Sequence, residues 1–197
     1  VLVSIDAQDP ACSPLAEKAE LRGLPFGLFD DSFMHRRHDI STGEGYNERC
    51  WLKFPEHWKI GPCGGEISYY AKRDQREFLN PDGLYGVTWK SAAAKYHMTF
   101  VIANDCLAGA CATPAWIAEA SRECGWRFAF GEPTTECGRT SVTVKNVGVA
   151  PAYHDIRVRI GTETSSESLK GLLPGQSRTF VFSSVGAKPV LSSRKFL

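Results

Sequence analysis

Four short apolar runs in this chain, at residues 1–6, 24–31, 60–66 and 98–105, each close on an acid or an amide: Asp6, Asp30-Asp31, Glu66 and Asn104-Asp105. Helix-like stretches lie between them. A buried strand that ends in a carboxylate, repeated along a β-α series, is how a parallel barrel or an open sheet gathers a polar site at its carboxyl edge. The steps from Asp6 to Asp30, Asp30 to Glu66 and Glu66 to Asn104 are 24, 36 and 38 residues. An eight-unit barrel averages about 31 residues per unit, so the steps fit β-α units with some long loops. The loop after Asp31, which runs to about Trp58, is long enough to expect a function of its own.

The helix signals are local. Ser13-Pro14 reads as an N-cap with its first helical residue, and Gly23 as a stop. Residues 74–78 read as helical and end at Asn80-Pro81, and residues 89–96 form an Ala-rich helix. The clearest helix runs over 113–124, capped by Thr113, opened by Pro114 and ended by Gly125, with Trp116, Ile117, Ala120 and Cys124 on one face. From Trp126 the period changes. Residues 139–145, 155–160 and 179–182 alternate apolar and polar, with turns at Asn146-Val147-Gly148, Gly161-Thr162 and Pro174-Gly175. Period two with turns about every ten residues predicts a small antiparallel sandwich. The expected division is therefore 1–125 and 126–197.

Composition narrows the function classes. At 43% hydrophobic and 23% charged, the 197-residue chain can bury a core. A net charge of +1 without a basic stripe argues against nucleic acid. No apolar run approaches the ~20 residues of a membrane span. The first run lacks the flanks of a signal peptide. The chain opens on Val1 rather than Met, which suggests that a longer precursor precedes it. Seven cysteines, with no C-x-x-C pair to suggest zinc, fit disulfides in an oxidising compartment, and so a secreted or cell-surface protein. Proximity pairs Cys50 with Cys63, Cys106 with Cys111 and Cys124 with Cys137. That leaves Cys12 for a segment outside the chain. Buried free thiols are the other reading.

Two sets of motifs resemble a known family. Pro62-Cys63-Gly64-Gly65-Glu66, Asn104-Asp105, and Trp116 followed by Gly125-Trp126-Arg127-Phe128 are similar to segments of the bacterial secreted family catalogued as domain of unknown function 4832. Asp30-Asp31-Ser32-Phe33 with Asp39 resembles its acidic loop, and residues 146–153 resemble its sandwich segment and the immunoglobulin-like modules of bacterial surface proteins. The resemblance implies an α/β fold: the C-terminal half of a TIM-like (β/α)8 glycosidase barrel over 1–125, then a small antiparallel immunoglobulin-like β-sandwich over 126–197. Half a barrel exposes strand edges, so it also implies a missing N-terminal half or a partner chain.

On that reading Glu66 would end strand seven, where the nucleophile sits in retaining glycosidases that resemble this barrel. The two glycines before it carry a cost that needs a reason. Hydrolysis requires a second carboxyl, ~5–5.5 Å away for retention or ~6.5–9.5 Å for inversion. Asp31 is the candidate within the chain, and a structural ion pair with an arginine is the alternative for Glu66. Asp30, Asn104, Asp105 and Trp51 are expected substrate contacts: Asn104 can hold a sugar hydroxyl with donor and acceptor together, and Trp51 is the least core-like aromatic. His35 and His38 stand three apart beside acids, but a metal site needs further converging ligands, so no metal or cofactor is expected. Arg36 and Arg37 are placed to bind an anionic sugar or to pair with Asp30 and Glu66. The expected function is a secreted glycosidase-like protein that acts on or binds polysaccharide, and a glycoside hydrolase if it is an enzyme. The alternative is a non-catalytic extracellular structural or adhesive protein.

Overall fold

The computed structural model describes residues 2–4, 26–38, 45–110, 112–183 and 186–193. The helix signal at Ser13-Pro14, together with Asp6, Cys12, Asp39 and Cys111, lies outside them. The chain divides into two compact units, Val1–Gly125 and Trp126–Leu197.

The first unit is built on four parallel strands, β1 (Leu2–Ser4), β2 (Gly27–Phe33), β3 (Cys63–Ile67) and β4 (Met98–Ile102), hydrogen-bonded in the order β1-β2-β3-β4. Among the described residues four helices accompany them: α1 (Tyr46–Trp51), α2 (Lys72–Glu77), α3 (Trp89–Lys95) and α4 (Pro114–Arg122). The caps follow local chemistry. Thr88 accepts the Ser91 N–H to start α3, and Thr113 accepts the Trp116 N–H to start α4, with Pro114 at its first turn. The core collects Leu28 and Phe33 from β2, Ile67 from β3, Met98 from β4, and Trp89, Ala92 and Ala93 from α3.

Among the described residues no barrel forms, and the expected half-barrel is overturned. The parallel sheet has β1 at one edge and β4 at the other. Strand residues, at 32%, outnumber helical ones, at 20%, in three small sheets. A (β/α)8 unit needs a helix long enough to cover its strand pair on the outside. The helices here are six, six, seven and nine residues long. The long segment after Asp31 is not an open loop either. It holds a turn, α1 and a 3-10 turn at His57–Lys59.

The tandem glycines have a packing reason. A Cβ at Gly64 would stand 2.1 Å from the Phe100 ring, and one at Gly65 would stand 2.6 Å from the Asp30 carbonyl oxygen on the neighbouring strand. Close approach of β2, β3 and β4 accounts for both residues without any catalytic demand from Glu66.

The second unit has two antiparallel sheets. One runs β10 (Ser177–Phe182), β7 (Arg139–Asn146), β5 (Phe128–Phe130), with β6 (Thr134–Glu136) also paired to β7. The other runs β11 (Pro189–Ser192), β8 (Arg157–Ile160), β9 (Glu163–Thr164). Alternate residues of three strands, Val142 and Val144, Val158 and Ile160, Phe180 and Phe182, enter one apolar cluster. Asn146 is fully buried among them. Its amide donates to the Ala150 and Leu172 carbonyls at 2.9 and 2.8 Å and accepts the Gly148 N–H at 2.9 Å and the Arg127 N–H at 3.4 Å.

Cys63, Cys106, Cys124 and Cys137 are free thiols. Each of the three expected disulfides includes at least one of them, so none of those pairings forms. Cys63 points into the apolar core of the first unit, and burial pushes its thiol up to about 12.

Candidate functional site

The middle of β2 carries a buried carboxylate with four hydrogen-bond partners around it. Asp30 is 0% exposed. Its Oδ1 accepts the Ser32 N–H at 2.8 Å and the Asn47 amide at 2.7 Å, and its Oδ2 meets His38 Nε2 at 2.7 Å and the Trp51 indole N–H at 3.4 Å. A carboxylate this deep requires such company, because an unpaired buried charge is costly. His38 in turn stands edge-on to Phe33 and Tyr96, and Trp51 packs on Tyr96. Asp30 thus ties β2, the turn after it and α1 into one block.

Next to this block, beyond the carboxyl ends of β2 and β3, opens a cleft of about 610 Å³ lined by Ser32, His35, Arg36, Arg37, Asn47, Tyr70, Ala71, Asp74 and Tyr85. Its size falls within the range of small-molecule sites. Asn47 gives one amide hydrogen to Asp30, and its carbonyl oxygen has no partner among the described residues. Tyr70 is 68% exposed and Tyr69 56%. The two rings stack at 5.3 Å, and the His35 ring lies 4.9 Å from Tyr70. Large exposed aromatics gathered at a rim are an unusual expense of apolar surface.

Tyr85 enters the cleft from a tight turn. Leu84 and Val87 exchange backbone hydrogen bonds at 2.9 and 2.8 Å, and the two residues between them, Tyr85 and Gly86, have φ of +52° and +81°. Two positive φ values at the centre mark a type I′ turn, which favours Asn-Gly and strains a tyrosine. The Tyr85 hydroxyl donates to Asp74 Oδ1 at 2.7 Å. Burial, then that hydrogen bond, raises the phenol above its ordinary value and keeps it a donor. His35 is shifted the other way: burial lowers it, with Arg37, Arg36 and His38 adding to the effect and Asp74 opposing it. Its Nδ1 accepts the Arg37 N–H at 3.3 Å.

The residues expected to act sit elsewhere or are already engaged. Asp30 and Trp51, read as substrate contacts, are buried and bonded to each other, so neither is offered to a ligand. The structure does bring Glu66 and Asn104 together, with the Asn104 amide 3.1 Å from Glu66 Oε1. Asp31 accepts the Ser32 hydroxyl at 3.3 Å. Asp105 takes Gln75 through its N–H at 2.9 Å and stands 3.7 Å from Arg76. None of Glu66, Asn104, Asp31 and Asp105 lines the cleft. Sequence reasoning placed Tyr70 among the aromatics flanking the strand ends and missed Asp74 and Tyr85. The Tyr85-Gly86 pair, a two-residue turn between Leu84 and Val87, was the signal for one of them.

Among the described residues no three His, Cys, Asp or Glu side chains gather to hold a metal ion, and no helix is long and apolar enough to cross a membrane. Comparison with protein-family models, curated proteins and solved structures found no match to this chain.

Proposed function

We propose that the first unit binds a saccharide in the cleft beside Asp30, without cleaving it. The observation that carries this reading is the wall itself: an exposed tyrosine pair at the rim, with Asn47, Ser32, Tyr85 and two arginines inside. Aromatic faces suit the apolar C–H faces of pyranose rings, and amides, hydroxyls and guanidiniums suit their oxygens.

Binding fits better than hydrolysis because glycoside cleavage takes two carboxyls flanking the bond. Among the described residues the cleft wall carries one, Asp74, already engaged by Tyr85. The test is titration of the full chain with a panel of neutral and acidic oligosaccharides, followed by tryptophan fluorescence or calorimetry. At least one class binds, and Tyr70→Ala weakens it. A reducing-end assay on the same panel stays silent. New reducing ends that disappear in Glu66→Gln would restore the enzymatic reading, and no binding by any saccharide would remove both.

A further inference from the structure

We infer that the saccharide in this cleft is held as a hydrogen-bond donor, with two of its hydroxyls on Asn47 Oδ1 and Asp74 Oδ2; this rests on the saccharide reading above and names the groups that select the sugar. The two side chains come from different helices, Asn47 from α1 and Asp74 from α2, and both line the cleft. Both are more than nine-tenths buried, at 5% and 1% exposed. Each keeps one acceptor oxygen without a partner among the described residues. Buried polar groups in a fold are almost always paired. Two acceptors left over on one cleft wall point to donors supplied by a ligand.

Each oxygen is set in place by the bond its neighbouring atom makes. Asn47 Nδ2 donates to Asp30 Oδ1 at 2.7 Å, so the amide cannot turn over without breaking that bond. The Tyr85 hydroxyl donates to Asp74 Oδ1 at 2.7 Å, which leaves Oδ2 for the cleft. Helix α2 is itself tied down beside Asp74: Gln75 donates to the Ile67 carbonyl at 3.1 Å and accepts the Asp105 N–H at 2.9 Å. A ligand thus meets two acceptors already in position, with no side chain to order first. A group that covers them without donating leaves them unpaired, at a cost on the order of tenfold in affinity apiece. A sugar hydroxyl can donate there. A fluorine in its place cannot.

The test titrates the full chain, by ligand-observed NMR, with the methyl glycosides of glucose, galactose and mannose and with their monodeoxy and monodeoxyfluoro forms. At least one parent binds. At two of its positions the deoxy and deoxyfluoro forms both bind at least about tenfold more weakly than the parent. In Asp74→Asn the amide oxygen keeps the Tyr85 bond, and an NH2 donor stands where the free acceptor was. The penalty then disappears at one of those positions and persists at the other, the one on Asn47. Deoxyfluoro forms that all bind like their parents overturn the inference, as does a pattern of penalties that Asp74→Asn leaves unaltered; the saccharide reading survives either result. Binding by none of the three parents also overturns the inference, and the saccharide reading falls with it only if the oligosaccharide panel is silent too.

Discussion

Each unit of this protein buries one polar side chain with four hydrogen bonds, and the two use it differently. Asn146 in the second unit bonds only to backbone: two carbonyls and two N–H groups. It is neutral, and it closes turns against an apolar core. Asp30 in the first unit bonds mainly to side chains, those of His38, Asn47 and Trp51. Two of the residues bonded to it, Ser32 and Asn47, form part of the cleft wall. A buried polar group satisfied by backbone ties a fold together. One satisfied by side chains also decides where those side chains stand, which is what a binding wall requires.

The largest expected effect separates the units by their thiols. Cys63 lies in the core of the first unit with its thiol pushed up to about 12, whereas Cys137 in the second is exposed. A thiol-specific reagent at mildly alkaline pH should label Cys137 at once, and Cys63 on the order of a thousandfold more slowly than an ordinary thiol. Rapid native labelling of Cys63, located by peptide mapping, would mean that the first core is not closed.

Next in size is Asp30→Ala. It strands the Asn47 amide and a backbone N–H and takes the partner from His38, at a cost of about 3–5 kcal/mol. Denaturant titration should lose that much in the transition that exposes Cys63, with no change in the other. Asn146→Ala should cost about 2 kcal/mol, because two buried carbonyls lose their donor. It should leave ligand binding in the cleft untouched. If Asn146→Ala weakened binding as much as Asp30→Ala does, the division of labour between the two residues would be wrong.

The smallest effect is in pH. His35 titrates below its ordinary value, so the unfolded chain takes up its proton first as pH falls. The stability from neutral His35 is fully present above the ordinary histidine range and is lost as pH drops through the lowered value. Arg36, Arg37 and His38 press in that direction and Asp74 against it. Comparing the parent with His35→Gln across that window should show a shallower slope in the variant. Equal slopes would mean that His35 is as solvated folded as unfolded.

Much of the local structure was legible. The run at 98–105 contains β4, the alternation at 139–145 is β7, and the Thr113-Pro114 pair opens α4. These signals depend on a few adjacent residues and on a repeat of two or 3.6. The tandem glycines read in the sequence as a cost that needs a reason, without showing which neighbours require them. Their justification is a ring from β4 and a carbonyl from β2, both distant in sequence. Trp51 misled in the same way, since a tryptophan in a stretch that reads as loop gives no sign that it reaches back 21 residues to Asp30.

The sequence by itself determined the caps of α3 and α4, the alternation of β7, and that residues 1–125 and 126–197 follow different periods. These are properties of short segments, set by side-chain alternation, caps and turn residues. Only the tertiary structure decided that the parallel sheet stays open, that Asp30 is a buried tie rather than a ligand contact, and that His35, Arg36, Arg37, Tyr70 and Tyr85 share one cleft. Closure of a sheet depends on strand number and tilt, and a cleft depends on which loops meet above it. Neither is encoded in any stretch of chain short enough to show a pattern.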